Sequence, residues 1–257
     1  LAVGCSSDPA GPRVSFTFPA AAHAGPITGR AFVFFTHAGQ PEPRLQINGY
    51  NGSIPFFAVD VDQLPPGQAA VMDNSALGTV VNHLSDLPAG DYYVQGLMNV
   101  YTRFPRADGH VIWAHMDQWE GQQFNISPSN LISAVQKLHW DPAHPQAISL
   151  SLDQVLPPLP APQDTAWVKH LKMQSPMLSK FWGHPIFMGA TVLLPAGYDQ
   201  HPNQTYPVVY VQGHFSLRPP YGFDPTPSQP NARTRERREV YGVETGYEFY
   251  QDWTSPS

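Results

Sequence analysis

The chain has 257 residues, of which 42% are hydrophobic and 12% aromatic, enough apolar surface for a core and incompatible with disorder throughout. Its net charge is −6, and its one basic cluster, Arg233 to Glu239, alternates with acid as a solvated helix face does. No basic stripe is left for nucleic acid, and no run of about 18 apolar residues offers a helical membrane span.

The first informative residue is the sole cysteine, Cys5, which has no partner for an internal disulfide or a cysteine zinc cluster. The stretch Leu1-Ala2-Val3-Gly4-Cys5-Ser6-Ser7-Asp8 resembles a bacterial lipobox, with small residues before the cysteine and a Ser/Asp/Pro/Gly tether after it. That resemblance implies lipidation of Cys5, a signal-peptide remnant and tether over residues 1–12, and a lipid-anchored location in the cell envelope. The competing reading is a cysteine in a ragged tail.

With 29 prolines, 20 glycines and only 13% charged residues, the sequence favours short strands joined by many turns. Val14 to Phe18 alternates, with Val14, Phe16 and Phe18 on one face, and predicts a half-buried strand. Gly29 to His37, Arg44 to Ile47 and Pro55 to Leu64 continue the period of two, and Ile148 to Leu152 predicts the last strand of the set. Asp60 and Asp62 share a polar face and read as a solvated edge, without the surrounding carboxylates a calcium site needs. Leu87-Pro88-Ala89-Gly90-Asp91-Tyr92, at the mouth of a long strand from Tyr92 to Phe104, resembles the tyrosine corner of immunoglobulin-like and fibronectin-like sandwiches. Which tyrosine takes that role is open, although Tyr92 fits the spacing. Met116 to Leu138 breaks the rhythm and reads as a long ordered insertion. The expectation is an all-β, immunoglobulin-like sandwich over residues 13–155.

Leu156 to Pro162 (LPPLPAP) is a stiff polyproline-type linker, placed at 156–164, and a second domain is expected over 165–257. Val168 to Leu171 predicts its first strand, Met177 to Trp182 a connecting turn, and Ile186 to Leu194 a second strand. Pro207 to Val211 is nearly unalternating, the pattern of a central strand in a parallel sheet covered on both faces. From Ala232 onward the residues read as helical, with Tyr247, Phe249, Tyr250 and Trp253 as apolar contacts.

The phrase LLPAGYD, a polar turn and then YPVVYVQG resembles the first strands of an esterase branch of the α/β-hydrolases, the enterochelin-esterase and esterase-D-like proteins. The resemblance covers roughly residues 165–257 and departs at Gln212, where many relatives carry His before the Gly. It implies the incomplete start of an α/β-hydrolase domain and serine-based hydrolysis of a carboxylic ester. It also implies an oxyanion-hole loop whose backbone falls at Gly213, His214 and Phe215. No cofactor follows from it, and the partners it implies are a small-molecule or glycan ester and, through the lipid, a membrane.

No Gly-x-Ser-x-Gly nucleophile turn occurs in the sequence, so the triad is expected past Ser257 and the chain reads as an N-terminal fragment. Among the 11 histidines, His110, His115, His139, His144, His184 and His214 are the metal candidates, but none forms a His-Glu-x-x-His or His-x-His pair, and no metal site is assigned. Trp113, Trp119, Trp140, Phe32 and Phe34 could line a sugar platform, with core packing as the blander role. The rival to an esterase is a non-catalytic surface lipoprotein whose β-sandwich grips glycan or peptide.

Overall fold

The computed structural model describes residues 11–47, 54–118, 120–144, 147–210, 223, 225–227 and 246–255. It divides into two units, one of residues 1–104 and 111–159, the other of 105–110 and 160–257.

The first unit is built from β1 (Arg13–Thr17), β2 (Ile27–Thr36), β3 (Phe56–Leu64), β4 (Ala70–Met72), β5 (Gly78–Thr79), β6 (Gly90–Pro105), β7 (Val111–His115), β8 (Leu131–Ile132), β9 (Gln136–Trp140), β10 (Ala147–Ser151) and β11 (Gln154–Val155). A small sheet runs β10-β1-β4, with β1 parallel to β10 and antiparallel to β4. The larger sheet runs β11-β8-β6-β2-β3-β5, and β7 and β9 also pair with β6.

The two sheets face each other across one core, as alternating strands with a single apolar face require. Val14 and Phe16 of β1 and Ile148 and Leu150 of β10 meet Val33 and Phe35 of β2, Phe57 of β3, and Val94 and Met98 of β6. Phe35 sits at its centre, edge-on to Phe57, Tyr92 and Trp140 at centroid distances of 6.0, 5.9 and 5.5 Å. At Gly96, a Cβ would come to 3.0 Å from the Leu150 and Leu152 side chains, so the closely packed sheets leave a side chain there little room. The unit is therefore an all-β sandwich. The Tyr92 hydroxyl donates to the Pro88 carbonyl at 3.0 Å, the backward tie that the Leu-x-x-Gly-x-Tyr spacing anticipates.

Two expectations change here. The period-two reading of β2 implies one wet face, yet Ala31 through Thr36 are all buried. Phe32 and Phe34 point to the second face, where they join Leu97, Ile132, Leu156 and, from the 116–138 insertion, Phe124. Arg44 to Ile47 is not a strand. Pro43 opens a 3-10 turn, Pro43–Leu45, and Arg44 is buried there through its hydrogen bonds rather than by alternation.

The second unit holds β12 (Val168–Gln174), α1 (Pro176–Trp182), β13 (Phe187–Leu193) and α2 (Gly246–Thr254). β12 and β13 pair antiparallel along their full lengths, from Val168 opposite Leu193 to Gln174 opposite Phe187. The segment expected as a turn is a short helix instead. Ser175 caps it by accepting from the Leu178 N–H, Pro176 begins it, and Gly183 in the left-handed region (φ 74°) ends it.

The expected central strand at 207–211 is not formed over its described residues, 207–210. Val208, Val209 and Tyr210 are 69, 63 and 91% exposed. An unalternating apolar run becomes a strand only when neighbours pair its backbone and cover both faces, and among the described residues no strand does so. The described residues of this unit thus contain a two-stranded antiparallel sheet and two short helices, without the parallel sheet of an α/β-hydrolase.

Candidate functional site

Gly213, His214 and Phe215, the expected oxyanion-hole backbone, and Cys5, the expected lipidation site, lie outside the described residues, as do His214 as a metal candidate and Trp119. The approach to the loop is described, however. β13 ends at Leu193, the Leu194 N–H donates to the Trp167 carbonyl at 2.7 Å, and the Ala196 N–H donates to the Trp253 carbonyl of α2 at 2.8 Å. Gly197 turns the chain at φ 76°, a region that a side chain would strain, and a 3-10 turn follows over Tyr198–Gln200. The Tyr198 ring then lies 5.4 Å from that of Tyr206. The LLPAGYD phrase is thus a strand end, a glycine turn and an aromatic clasp.

The polar chemistry that the fold concentrates lies elsewhere, under the insertion that covers the second face of the sandwich. Glu120 is in this insertion and its side chain is fully buried. Its Oε1 faces His115 Nε2 at 2.6 Å, and its Oε2 accepts from the Gln118 N–H at 2.6 Å. His115, at the end of β7, turns Nδ1 to Asn99 Oδ1 at 2.8 Å, and the same oxygen accepts from Asn130 Nδ2 at 3.3 Å. Both imidazole nitrogens therefore meet side-chain oxygens. Asn130 completes the network by accepting from the Val100 N–H at 2.9 Å.

Burial pushes the Glu120 carboxyl upward, but hydrogen bonds from His115 and the Gln118 N–H outweigh it, and the group is held below the ordinary glutamate range. A second charged knot sits at the middle of the insertion. Arg44 Nε donates to Glu42 at 2.9 Å and Arg44 Nη1 to the Asn125 carbonyl at 2.6 Å, while Gln95 Nε2 donates to Glu42 at 2.8 Å. At Glu42, too, burial raises the carboxyl and the bonds from Gln95 and Arg44 lower it further, for a net depression.

Chemically, the His115–Glu120 pair is closed. Each ring nitrogen of His115 is engaged, by Asn99 and by Glu120, so neither is free to take a proton from a nucleophile. The pair holds structure. Sequence spacing flagged His115 as a possible ligand but could not supply its partners, because Asn99 lies on the neighbouring strand β6 and Glu120 in a segment without a repeating pattern.

The remaining histidine candidates are scattered over the surface. His139 pairs with Asp91 at 2.8 Å and His144 with Asp141 at 2.6 Å, both rings well exposed, and His110 contacts Asp108 at 3.2 Å. His184 Nδ1 lies 3.4 Å from the Pro185 carbonyl. Among the described residues no group of three metal-ligating side chains converges. Of the aromatic candidates, Trp140, Phe32 and Phe34 are core residues, whereas Trp113 is 41% exposed on β7. Asp60 is held by Arg30 through Nε at 2.6 Å and Nη2 at 3.1 Å, and Asp62 accepts from Thr28.

Among the described residues no helix is long and apolar enough to cross a membrane. No protein-family model, no curated protein and no solved structure matches the chain.

Proposed function

We propose that this chain is the front part of a lipid-anchored serine esterase of the bacterial cell envelope, in which an immunoglobulin-like sandwich precedes the start of an α/β-hydrolase domain. The observation that carries the reading is the ordered course of the LLPAGYD phrase, from β13 through the Gly197 turn to the Tyr198–Tyr206 clasp, which directs the chain toward YPVVYVQG. The tie from Tyr92 to Pro88 supports the immunoglobulin-like assignment of the sandwich.

The reaction is acyl transfer from an ester to water. A serine oxygen following Ser257 attacks the ester carbonyl carbon and gives its proton to a histidine, and the carbonyl π pair moves onto oxygen. Collapse expels the alcohol, which takes the proton, and water then releases the acid from the acyl-enzyme by the same route. The N–H groups at His214 and Phe215, freed to turn inward by Gly213, hold the oxyanion. Cys5 is the anchor to the envelope.

The test is hydrolysis of a chromogenic short-chain ester by the complete gene product, with and without a serine-directed organophosphonate. Turnover abolished by the inhibitor is expected. A folded complete product that turns over no short-chain ester and takes up no organophosphonate overturns the reading in favour of a binding lipoprotein.

A further inference from the structure

We propose that the tip of the β12–α1–β13 hairpin is a membrane-contact surface, its apolar side chains entering the headgroup layer of an anionic lipid bilayer while its lysines meet the lipid phosphates. The inference concerns the second unit alone and depends neither on the serine chemistry nor on Cys5. Burial falls along the hairpin. At its base Val168 is buried, Leu193 opposite it is half-buried, and the Leu194 N–H donates to the Trp167 carbonyl. At the other end every residue of α1 is at least partly exposed. Met177 is 82% exposed there, and Met173, Phe181, Phe187 and Met188 are each about half exposed. Register sets Met173 directly opposite Met188 on one face, while Lys172 and Phe187 share the other, with the ammonium 5.1 Å from the ring centre. The tip is thus apolar on both faces and along the helix that closes it. A flat protein partner covers one face of a hairpin, whereas a lipid layer surrounds an inserted tip on all sides.

Charge singles out an anionic surface. The chain carries 20 acidic residues against 14 lysines and arginines, yet the stretch from Thr165 to Tyr198 holds three of its four lysines, Lys169, Lys172 and Lys180, and no aspartate or glutamate. Asp164, just before that stretch, is paired with His170 at 3.1 Å. Arg106 adds a cation beside α1, its guanidinium 5.1 Å from the Phe181 ring centre and paired with Asp108 at 2.6 Å. Long cationic side chains among exposed Met and Phe are the composition that settles at an anionic interface, with stems in the apolar layer and charges at the phosphates. Backbone chemistry fits as well. Strand pairing runs to Gln174 opposite Phe187, the Ser175 N–H donates to the Ile186 carbonyl at 2.9 Å, the Ile186 N–H donates to the Ser179 hydroxyl at 2.9 Å, and Ser175 caps α1. These amides are satisfied within the hairpin, as a poorly hydrated layer requires.

By itself such a tip makes a weak, reversible contact that washing removes, and beside an acyl anchor it supplies the second of the two signals that stable attachment needs. The test is therefore equilibrium binding, by vesicle sedimentation, of the complete gene product carrying Cys5→Ala to phosphatidylcholine vesicles with and without about one-third phosphatidylglycerol. Binding to the anionic vesicles should exceed that to the neutral ones about 10-fold or more and should fall as salt is raised to about 0.5 M. At about fivefold per lysine, Lys172→Gln with Lys180→Gln should weaken it about 10- to 30-fold. Met177→Ser with Phe181→Ser should weaken it at least about 10-fold. Lys137→Gln and Leu77→Ser, both in the first unit, should bind as the parent does. Equal binding to the two vesicles, binding to neither, or tip variants that bind as the parent does overturns the proposal. A concentration-dependent dimer that Met177→Ser abolishes, without vesicle binding, also overturns it and assigns the tip to a second copy of the chain. A thermal melt checks each variant, and for any that fails to fold the lipid and salt series on the Cys5→Ala protein decides.

Discussion

Replacing Phe35 by alanine should be among the most damaging single changes in the sandwich. The side chain is fully buried, and three aromatic neighbours meet it edge-on at 5.5–6.0 Å, so the cavity left behind is walled by rings that cannot collapse into it. Phe→Ala changes in such sites cost about 3–5 kcal/mol, the lost transfer energy of the ring plus the cavity term. Each lost edge-to-face pair falls within that total and is worth about 0.5–1.5 kcal/mol. Against a typical domain stability of roughly 5–15 kcal/mol, that is a large share. The assay is a urea titration of the chain followed by near-UV circular dichroism and tryptophan fluorescence, since Trp140 lies in the same cluster. Leu77→Ala, at a side chain 72% exposed, is the control and should stay within about 0.5 kcal/mol. A Phe35→Ala midpoint as close to wild type as that of Leu77→Ala would refute the two-sheet core.

Tyr92→Phe keeps the ring against Phe35 and removes only the donor to Pro88; it should cost about 1 kcal/mol, with an unchanged urea slope. Gly29→Ala would bring a Cβ to 2.1 Å from the Asn99 carbonyl oxygen, so β2 and β6 must part, at about 1–3 kcal/mol, whereas Gly25→Ala, with open space around it, should be near neutral in the same melt. Acidification should weaken the Glu42 knot, because a carboxyl lowered in the fold contributes stability that is complete above the ordinary glutamate value of 4.5 and is lost as pH falls through its folded value. Glu42→Gln should therefore flatten the acid limb of the stability–pH curve. Cys5→Ala should move the protein from membrane to soluble fractions in its native host.

The sandwich was legible because its inner face obeys a simple period. Phe57 and Val61, or Val14, Phe16 and Phe18, alternate with polar or small residues, and burial follows that alternation. The second face was not legible, because what covers it is an irregular insertion. Nothing in the spacing of Phe124 says that it will stack on Phe32, and the bridge that His115 makes between Glu120 of the insertion and Asn99 of β6 depends on strand pairing that spacing does not show. Arg44 to Ile47 imitated a strand because four residues cannot separate a period of two from a proline-led turn. In the second unit the strand signals held, and the hairpin of β12 and β13 pairs in full register, but the segment between them was read as a turn although Ser175, Pro176 and Gly183 bracket a helix by their capping chemistry. Pro207 to Tyr210 shows the limit of such signals, since its apolar run specifies a demand for cover on both faces without specifying what supplies it. The expected oxyanion-hole residues, Gly213, His214 and Phe215, were named from resemblance alone, and no local pattern would have singled them out.

The most direct measurement of the central claim is the steady-state turnover of a chromogenic ester by the complete gene product carrying Gly213→Val, with folding verified by thermal melt. If the N–H groups at His214 and Phe215 hold the oxyanion, a Cβ branch at the turn misdirects them, and turnover should fall about 100- to 1000-fold with the melting temperature little changed. Turnover within about threefold of wild type in a properly folded variant would contradict the account.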